Sequence, residues 1–296
     1  MKTHLISLTV LAGLIVGQQA QATIVFNDDF TRDNNTAIGN NWVETSSGGS
    51  TNASINTNEL VIAGTGGGTG SRTSVAQPLT NFTAPFNATL SSNPDTVVWT
   101  FNVRQDGEPG GLNGGRTGAA LILASDAADF RSTQGADGYA IVIAQPNRSA
   151  VTSTADPVTL VKFTNGVNTD SSNIATYTSL VTASTGVFAD IGTELLSIRV
   201  EYVPTTNTFS VYGRNDGNSA FSDPANNTGF TFLGSAVDST YTGTASTHMG
   251  AFFNNNGLTT QVGRFDNISV SIIPEPASLA LVGIGLAMIV PRRRQR

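Results

Sequence analysis

Ser197-Ile198-Arg199-Val200-Glu201-Tyr202 alternates polar and apolar side chains without a break. Pro204-Thr205-Thr206-Asn207 follows, and Thr208-Phe209-Ser210-Val211-Tyr212 alternates again. A period of two places Ile198, Val200 and Tyr202 on one face of an extended chain. Pro and Asn between the two runs are turn formers. The stretch therefore predicts a half-buried antiparallel hairpin. Working outward, runs rich in Val, Ile, Thr, Phe and Tyr recur at 24–30, 59–63, 96–103, 119–124, 139–144, 158–163, 230–233, 248–253 and 264–272. Gly, Asn, Ser and Asp separate them. No segment between the two ends of the chain carries a helical period. About eleven strands joined by uneven loops predict an all-β domain folded as a two-sheet jelly-roll sandwich, with a closed barrel as the alternative.

The two ends of the 296-residue chain follow other rules. Lys2 and His4 precede the apolar run 5–16, and Ala20-Gln21-Ala22 is a small-residue cleavage site. Residues 1–22 therefore read as a signal peptide cut after Ala22, with Ala20 and Ala22 as the cleavage-site residues. At the other end Pro274-Glu275-Pro276 precedes an uncharged apolar stretch, 277–290, and then Pro291-Arg292-Arg293-Arg294-Gln295-Arg296. As a helix the apolar stretch would be about 21 Å long, against a hydrocarbon core of about 30 Å. The terminal arginines would stay on the cytoplasmic side. The domain, 23–273, would then lie outside.

That order of tripeptide, apolar segment and arginine cluster resembles the PEP-CTERM sorting domain of Gram-negative bacteria. The resemblance implies recognition by exosortase, a membrane protease acting at or near Pro274, Glu275 and Pro276. It implies that Arg292, Arg293, Arg294 and Arg296 set topology. It also implies a transient membrane anchor followed by release to the cell surface or an extracellular matrix rich in exopolysaccharide.

Charge sharpens this reading. The whole chain has 15 basic and 21 acidic residues, a net −6. Removing Lys2, the four tail arginines and Glu275 leaves ten basic against twenty acidic residues, a net −10 for 23–273. Such a surface repels nucleic acid and anionic polysaccharide unless a divalent cation intervenes. With no Cys there is no disulfide framework, and at this size a hydrophobic core suffices.

Catalytic constellations are missing from the pattern. His248 is the one histidine after residue 22, which excludes a histidine-rich zinc site, and no G-x-S-x-G elbow surrounds a serine. Glycoside hydrolysis needs two carboxylates about 5–9 Å apart. On a sandwich they usually alternate along one strand, yet the glutamates are isolated and the nearest acid pairs, Asp126/Asp129 and Asp106/Glu108, fall in loops or at strand ends. The expectation is no enzyme and no catalytic residue.

The landmarks Asp28-Asp29-Phe30, Gly39-Asn40-Asn41-Trp42, Asn58 to Ile62 and the closing run Arg264-Phe265-Asp266-Asn267-Ile268-Ser269-Val270 resemble concanavalin-A-like, or laminin-G-like, sandwiches. That resemblance implies a fold and glycan contact. Within the frame, Asp28 shares parity with Ile24, Phe26 and Phe30, and Asp266 with Ile268, Val270 and Ile272. If the first and last strands are neighbours, the two carboxylates converge on the apolar side and suit structural calcium. The competing reading has each acid cap a turn or pair with Arg32 or Arg264. Trp42, Tyr139, Tyr177 and Tyr241 are candidate sugar platforms, Trp99 a core residue, and the 64–70 glycine run and 215–218 solvated loops. The function expected is an exported, non-catalytic matrix or surface protein that contacts exopolysaccharide. The alternative is an unusual carbohydrate-active enzyme on the same fold.

Overall fold

The computed structural model describes residues 21–47, 53–63, 71–107, 110–112, 117–131, 134–143, 155–167, 177–255 and 261–275. The strands are β1 (Thr23–Asp28), β2 (Val43–Ser47), β3 (Ala53–Asn56), β4 (Glu59–Ala63), β5 (Ser71–Pro78), β6 (Thr96–Gln105), β7 (Gly118–Ser125) and β8 (Gly138–Ile143). They continue with β9 (Val158–Phe163), β10 (Tyr177–Thr182), β11 (Leu195–Val203), β12 (Thr208–Gly217), β13 (Thr231–Val237), β14 (His248–Asn255) and β15 (Val262–Ile273). Among the described residues one α-helix, α1 (Phe86–Ser92), lies between β5 and β6, after a 3-10 turn at Leu79–Asn81.

The hairpin decides the layout. β11 and β12 pair antiparallel, and Asn207 closes the turn in the left-handed region at φ 52°. Asn tolerates that conformation because its side chain is short and polar. An eight-stranded sheet runs β13-β12-β11-β6-β15-β4-β3, with β1 also paired to β15. A seven-stranded sheet runs β10-β9-β8-β7-β14-β5-β2. Every pairing is antiparallel, and the architecture is the two-sheet sandwich.

The inner faces interdigitate as alternation requires. Trp99, Phe101, Ile198, Val200, Tyr202, Phe209, Phe265 and Val270 of one sheet meet Val75, Leu121, Ile141, Leu160, Ala251 and Phe253 of the other. The seven-stranded sheet is buried on its second face too. Ala76, Ile122, Ala140, Val142, Phe163 and Phe252 pack there against Leu112, Phe130, Ala136 and Val167 from overlying loops. This explains why β7 and β8 read as unbroken apolar runs rather than alternating ones. The eight-stranded sheet keeps the alternation, so its outer face is mostly polar, with Phe232, Tyr212, Val98 and Ile24 as its apolar members.

A polar lock ties the two sheets at one edge. Asp238, just after β13, accepts from Lys162 Nζ of β9 at 2.6 Å and from the buried Tyr139 hydroxyl of β8 at 2.6 Å. Burial raises the Asp238 pKa, but the bonds from Lys162 and Tyr139 prevail and hold it at about 2.

Four strands escape the periodicity argument: β2, β3, β5 and β10. β5 reads Ser-Arg-Thr-Ser-Val-Ala-Gln-Pro, with hydroxyls at buried positions where an alternation template expects apolar side chains. α1 also corrects the expectation of no helix, although at seven residues it is too short to show a period. Among the described residues no helix is long and apolar enough to cross a membrane. Residues 1–20 and 276–296, with the cleavage residue Ala20, Pro276, the 277–290 stretch and the arginine cluster, lie outside the described residues.

Candidate functional site

The outer face of the eight-stranded sheet is built by register. Directly opposed residues line up as Phe232, Tyr212, Arg199, Thr100, Ser269 and Asn27, one from each of β13, β12, β11, β6, β15 and β1. The next row of the same face is Ser235, Ser210, Glu201, Val98, Ser271 and Ile24. At about 4.8 Å between strands, each row spans roughly 24 Å.

The β13 end of the first row is aromatic. Phe232 is 54% exposed, and its ring lies 5.4 Å from that of Tyr212 at 58°. The Arg199 guanidinium sits 5.6 Å from the Tyr212 ring centre and pairs with Glu201 along its own strand. Arg199 Nη1 also donates to Asn227 Oδ1 at 2.8 Å. The charges on this face are therefore internally compensated. Toward β1 the row ends in hydroxyls and an amide, which donate and accept with equal ease.

Segment 218–230 forms a wall beside this strip. Arg214 Nε donates to Asp216 Oδ1 at 2.7 Å, while its other nitrogens reach Asp223 O at 3.0 Å and Asn226 O at 2.8 Å. Its guanidinium also covers Phe230 at 5.0 Å. Beneath, Ser197 Oγ donates to Asp216 Oδ2 at 2.7 Å, and Asn102 Nδ2 donates to Ser222 O at 3.0 Å. Asp216 is thus a buried anchor, not the solvated loop residue expected from its Asn-Asp-Gly context.

Asp28 and Asp266 are neighbours in topology, since β1 pairs with β15, but they occupy opposite faces. Asp28 pairs with the core residue Ile268 and is 3% exposed. Asp266 pairs with the outward Asn102. Asp266 turns outward despite its parity because β15 carries a bulge between Asp266 and Ser269, where Asn267 takes φ 48°. A second bulge, at Ile24/Phe26 in β1, turns Ile24 outward, 61% exposed.

Asp28 is saturated. It accepts Arg32 Nη1 at 2.7 Å, Arg32 Nη2 at 3.1 Å, Trp42 Nε1 at 2.7 Å, Asn40 Nδ2 at 3.2 Å and the Phe30 N–H at 2.9 Å. The pairing with Arg32 set against calcium above is what the geometry holds. An ion there would have to displace the guanidinium, and the described residues contain no group of three acids or histidines arranged for a metal. Burial pushes the Asp266 carboxyl up to about 7 against the Asn267 N–H, helped by Glu59, Asp29 and Asp28. Arg264 bonds Asp106 Oδ2 at 3.0 Å and Glu59 Oε2 at 3.1 Å rather than Asp266.

The other candidates are structural. Trp99 is buried and donates to Leu123 O at 3.1 Å, as a core residue should. Trp42 is buried against Phe26 and Phe30. Tyr139 is buried in the lock and offers no platform, and Tyr241 packs on it at 5.8 Å. Asp129 pairs with Arg131, and Asp126 accepts the Asp137 N–H at 2.7 Å. His248 Nδ1 bonds Thr247 Oγ1 at 2.7 Å, and its half-buried ring is held below its usual pKa. The platform at Tyr212 and Phe232 escaped sequence reading. Its signal was the outward parity of Tyr212 in the hairpin that decided the fold.

No family model and no curated protein matches the chain. Solved structures do. Lectin I-B4 from Griffonia simplicifolia, in its metal-free form, is 13% identical with a TM-score of 0.52, over 84% of this chain and 99% of that one. The seed lectin of Lotus tetragonolobus is 11% identical with a TM-score of 0.50, over 85% of this chain and all of that one. These likenesses support the concanavalin-A-like sandwich as the fold.

Proposed function

We propose that this chain is an exported, non-catalytic surface or matrix protein that binds exopolysaccharide through the outer face of its eight-stranded sheet. The observation that carries the reading is the exposed Phe232 ring against the half-buried Tyr212 ring, at the head of a row of hydroxyls. The apolar C–H face of a sugar stacks on such rings, and its hydroxyls match Ser, Thr and Asn side chains. The rows extend about 24 Å across six strands, which suits an extended polymer rather than a small molecule. The lectin-like fold agrees with this role.

The test is retention of the full-length protein on matrix polysaccharide and on a glycan array. Phe232→Ala and Tyr212→Ala are each expected to weaken retention roughly fivefold, the equivalent of about 1 kcal/mol for one aromatic contact. Retention unchanged in both variants would overturn the site. A reducing-sugar assay run alongside is expected to show no product. Product release abolished by one carboxylate substitution would favour the carbohydrate-active enzyme instead.

Sorting is the second part of the proposal. β15 ends at Ile273, beside Thr23 of β1, which is opposite Ile272. Pro274 and Glu275 leave the sandwich there, the Glu275 N–H touching Asp95 Oδ1 at 3.3 Å. If residues 22/23 and 274–276 are the processing points, both lie at one end of the domain, the arrangement expected of a protein held to a membrane by 277–290 and released by exosortase. In cells lacking exosortase, the protein is expected to stay in the membrane fraction with its tail intact. Normal release from those cells would refute the sorting reading.

A further inference from the structure

We infer that a cleft between β1 and the end of β5 is a second binding site, shaped for one neutral sugar residue. The inference rests on the carbohydrate reading above, but shares only Ile24 and Asn27 with the outer-face rows. The cleft has a volume of about 390 Å³ and opens at the edge of the sandwich. Small-molecule sites run from about 300 to 1,000 Å³. Its polar lining is Asn27, Asp28, Asn40, Asn41, Gln77, Asn81 and Thr83, and Ile24, Val25 and Phe26 form the apolar part.

Five carboxamides on one cleft are unusual chemistry for a structural seam. Gln77 is the decisive one. It lies on the inner side of β5, is 2% exposed, and its Oε1 finds no hydrogen-bond partner among the described residues. A buried amide oxygen left unpaired costs about 1–3 kcal/mol. Rotation of the terminal amide turns either its oxygen or its NH₂ toward the cleft. Across from it, Asn40 and Asn41 stand in consecutive left-handed conformations, φ 48° and 61°. The Trp42 N–H to Gly39 O bond, 3.0 Å, closes that turn, and Asn40 is held by Asp28. The amides are therefore presented by a fixed turn. Thr83 is fixed in the same way, its N–H donating to Val25 O at 3.0 Å.

Amide and hydroxyl groups each donate and accept, so vicinal hydroxyls of a sugar meet matching partners in either sense. Charge selects among sugars. No Lys, Arg or His lines the cleft, and the one acid, Asp28, is neutralised by the Arg32 fork. A carboxylate on the ligand would find no counter-ion, in a domain that is already acidic.

The experiment is saturation-transfer NMR and calorimetry on the full-length protein with methyl glucoside, methyl galactoside, methyl mannoside, N-acetylglucosamine and glucuronate. At least one neutral sugar is expected to bind near millimolar, with glucuronate at least tenfold weaker. Gln77→Leu and the exposed Asn81→Ala are each expected to weaken that binding at least fivefold, whereas Phe232→Ala leaves it unchanged. Asn81→Ala keeps the test open should Gln77→Leu fold poorly. Absence of any sugar signal, binding indifferent to both cleft variants, or glucuronate preferred would each overturn the cleft. If polysaccharide retention still depends on Phe232, the outer-face reading survives that result.

Discussion

Asp28→Ala is expected to lower the melting temperature by about 10 °C. One small carboxylate holds five donors from four residues: the Arg32 fork, the Trp42 indole, the Asn40 amide and the Phe30 N–H. Removing one partner of a buried ion pair costs about 3–5 kcal/mol, chiefly because the remaining groups are left without theirs. For a domain of this size each kcal/mol moves the midpoint by roughly 2–4 °C. Arg32 is partly exposed and can recover water, so the larger share falls on the buried Trp42 N–H and on the turn that it anchors. Asp28→Asn should fall between, since an amide accepts the indole but cannot accept the fork as a charge.

The same substitution should alter the pH profile. Burial alone would raise the Asp28 pKa, but the bonds from Arg32, Trp42 and Phe30, with the Arg32 charge, outweigh it and leave the value lowered. A depressed folded value means stability that is complete above the unfolded carboxylate pKa of about 4, and lost as pH falls through the folded value. Asp266 works in the opposite direction. With its folded value pushed up to about 7, the native state holds the extra proton, so stability declines as pH rises from about 4 through 7. Thermal melts from pH 3 to 8 separate the two. Asp28→Ala should flatten the acid limb, and a melting midpoint within 2 °C of wild type at neutral pH would refute the role assigned to Asp28.

The sequence made the hairpin, the sandwich and the burial of Trp99 legible because those depend on alternation alone. β6, β11 and β12 keep the period along most of their length. Where legibility failed, local physics had displaced the period. The bulges at Ile24/Phe26 and Asp266/Ser269 each insert a residue, and one inserted residue exchanges the two faces downstream. Asp28 was read on the correct face, whereas Ile24 and Asp266 were not. β5 was invisible because its inward positions include Thr73 and Gln77. The candidate site was half legible. Outward parity of Tyr212 and Arg199 could be read within the hairpin, but their alignment with Phe232, Thr100, Ser269 and Asn27 is a property of register between strands distant in sequence.

Glycine carries the other large effect. Gly250→Ala is expected to destabilise the domain by about 4 kcal/mol or more, at the upper end for a point substitution. Gly250 sits in β14, between Ala76 of β5 and Ile122 of β7. A Cβ built there would lie 2.1 Å from Val75 O, 2.9 Å from the Phe130 ring and 3.0 Å from Ala76 Cα. The first and last neighbours are backbone, so no side-chain rotation relieves them. The alanine must either part the β14–β5 ladder or push β14 from the inter-sheet core, and each route also disturbs the Phe130 packing on the second face. Gly138 repeats the situation in β8, its Cβ position 2.0 Å from Ala124 O. Both glycines lie beside register shifts, Gly250 at His248/Gly250 against β7 and Gly138 at Ile122/Ala124, although the Val75 carbonyl that crowds Gly250 belongs to the regularly paired β5. Gly243 is the control, because nothing lies within 4 Å of its Cβ position. Gly243→Ala should melt within about 0.5 kcal/mol of wild type. Gly250→Ala should melt more than 8 °C lower or accumulate as insoluble protein. A soluble Gly250→Ala variant melting with wild type would mean that β14 and β5 can separate at little cost, contrary to the packing on both faces of the seven-stranded sheet.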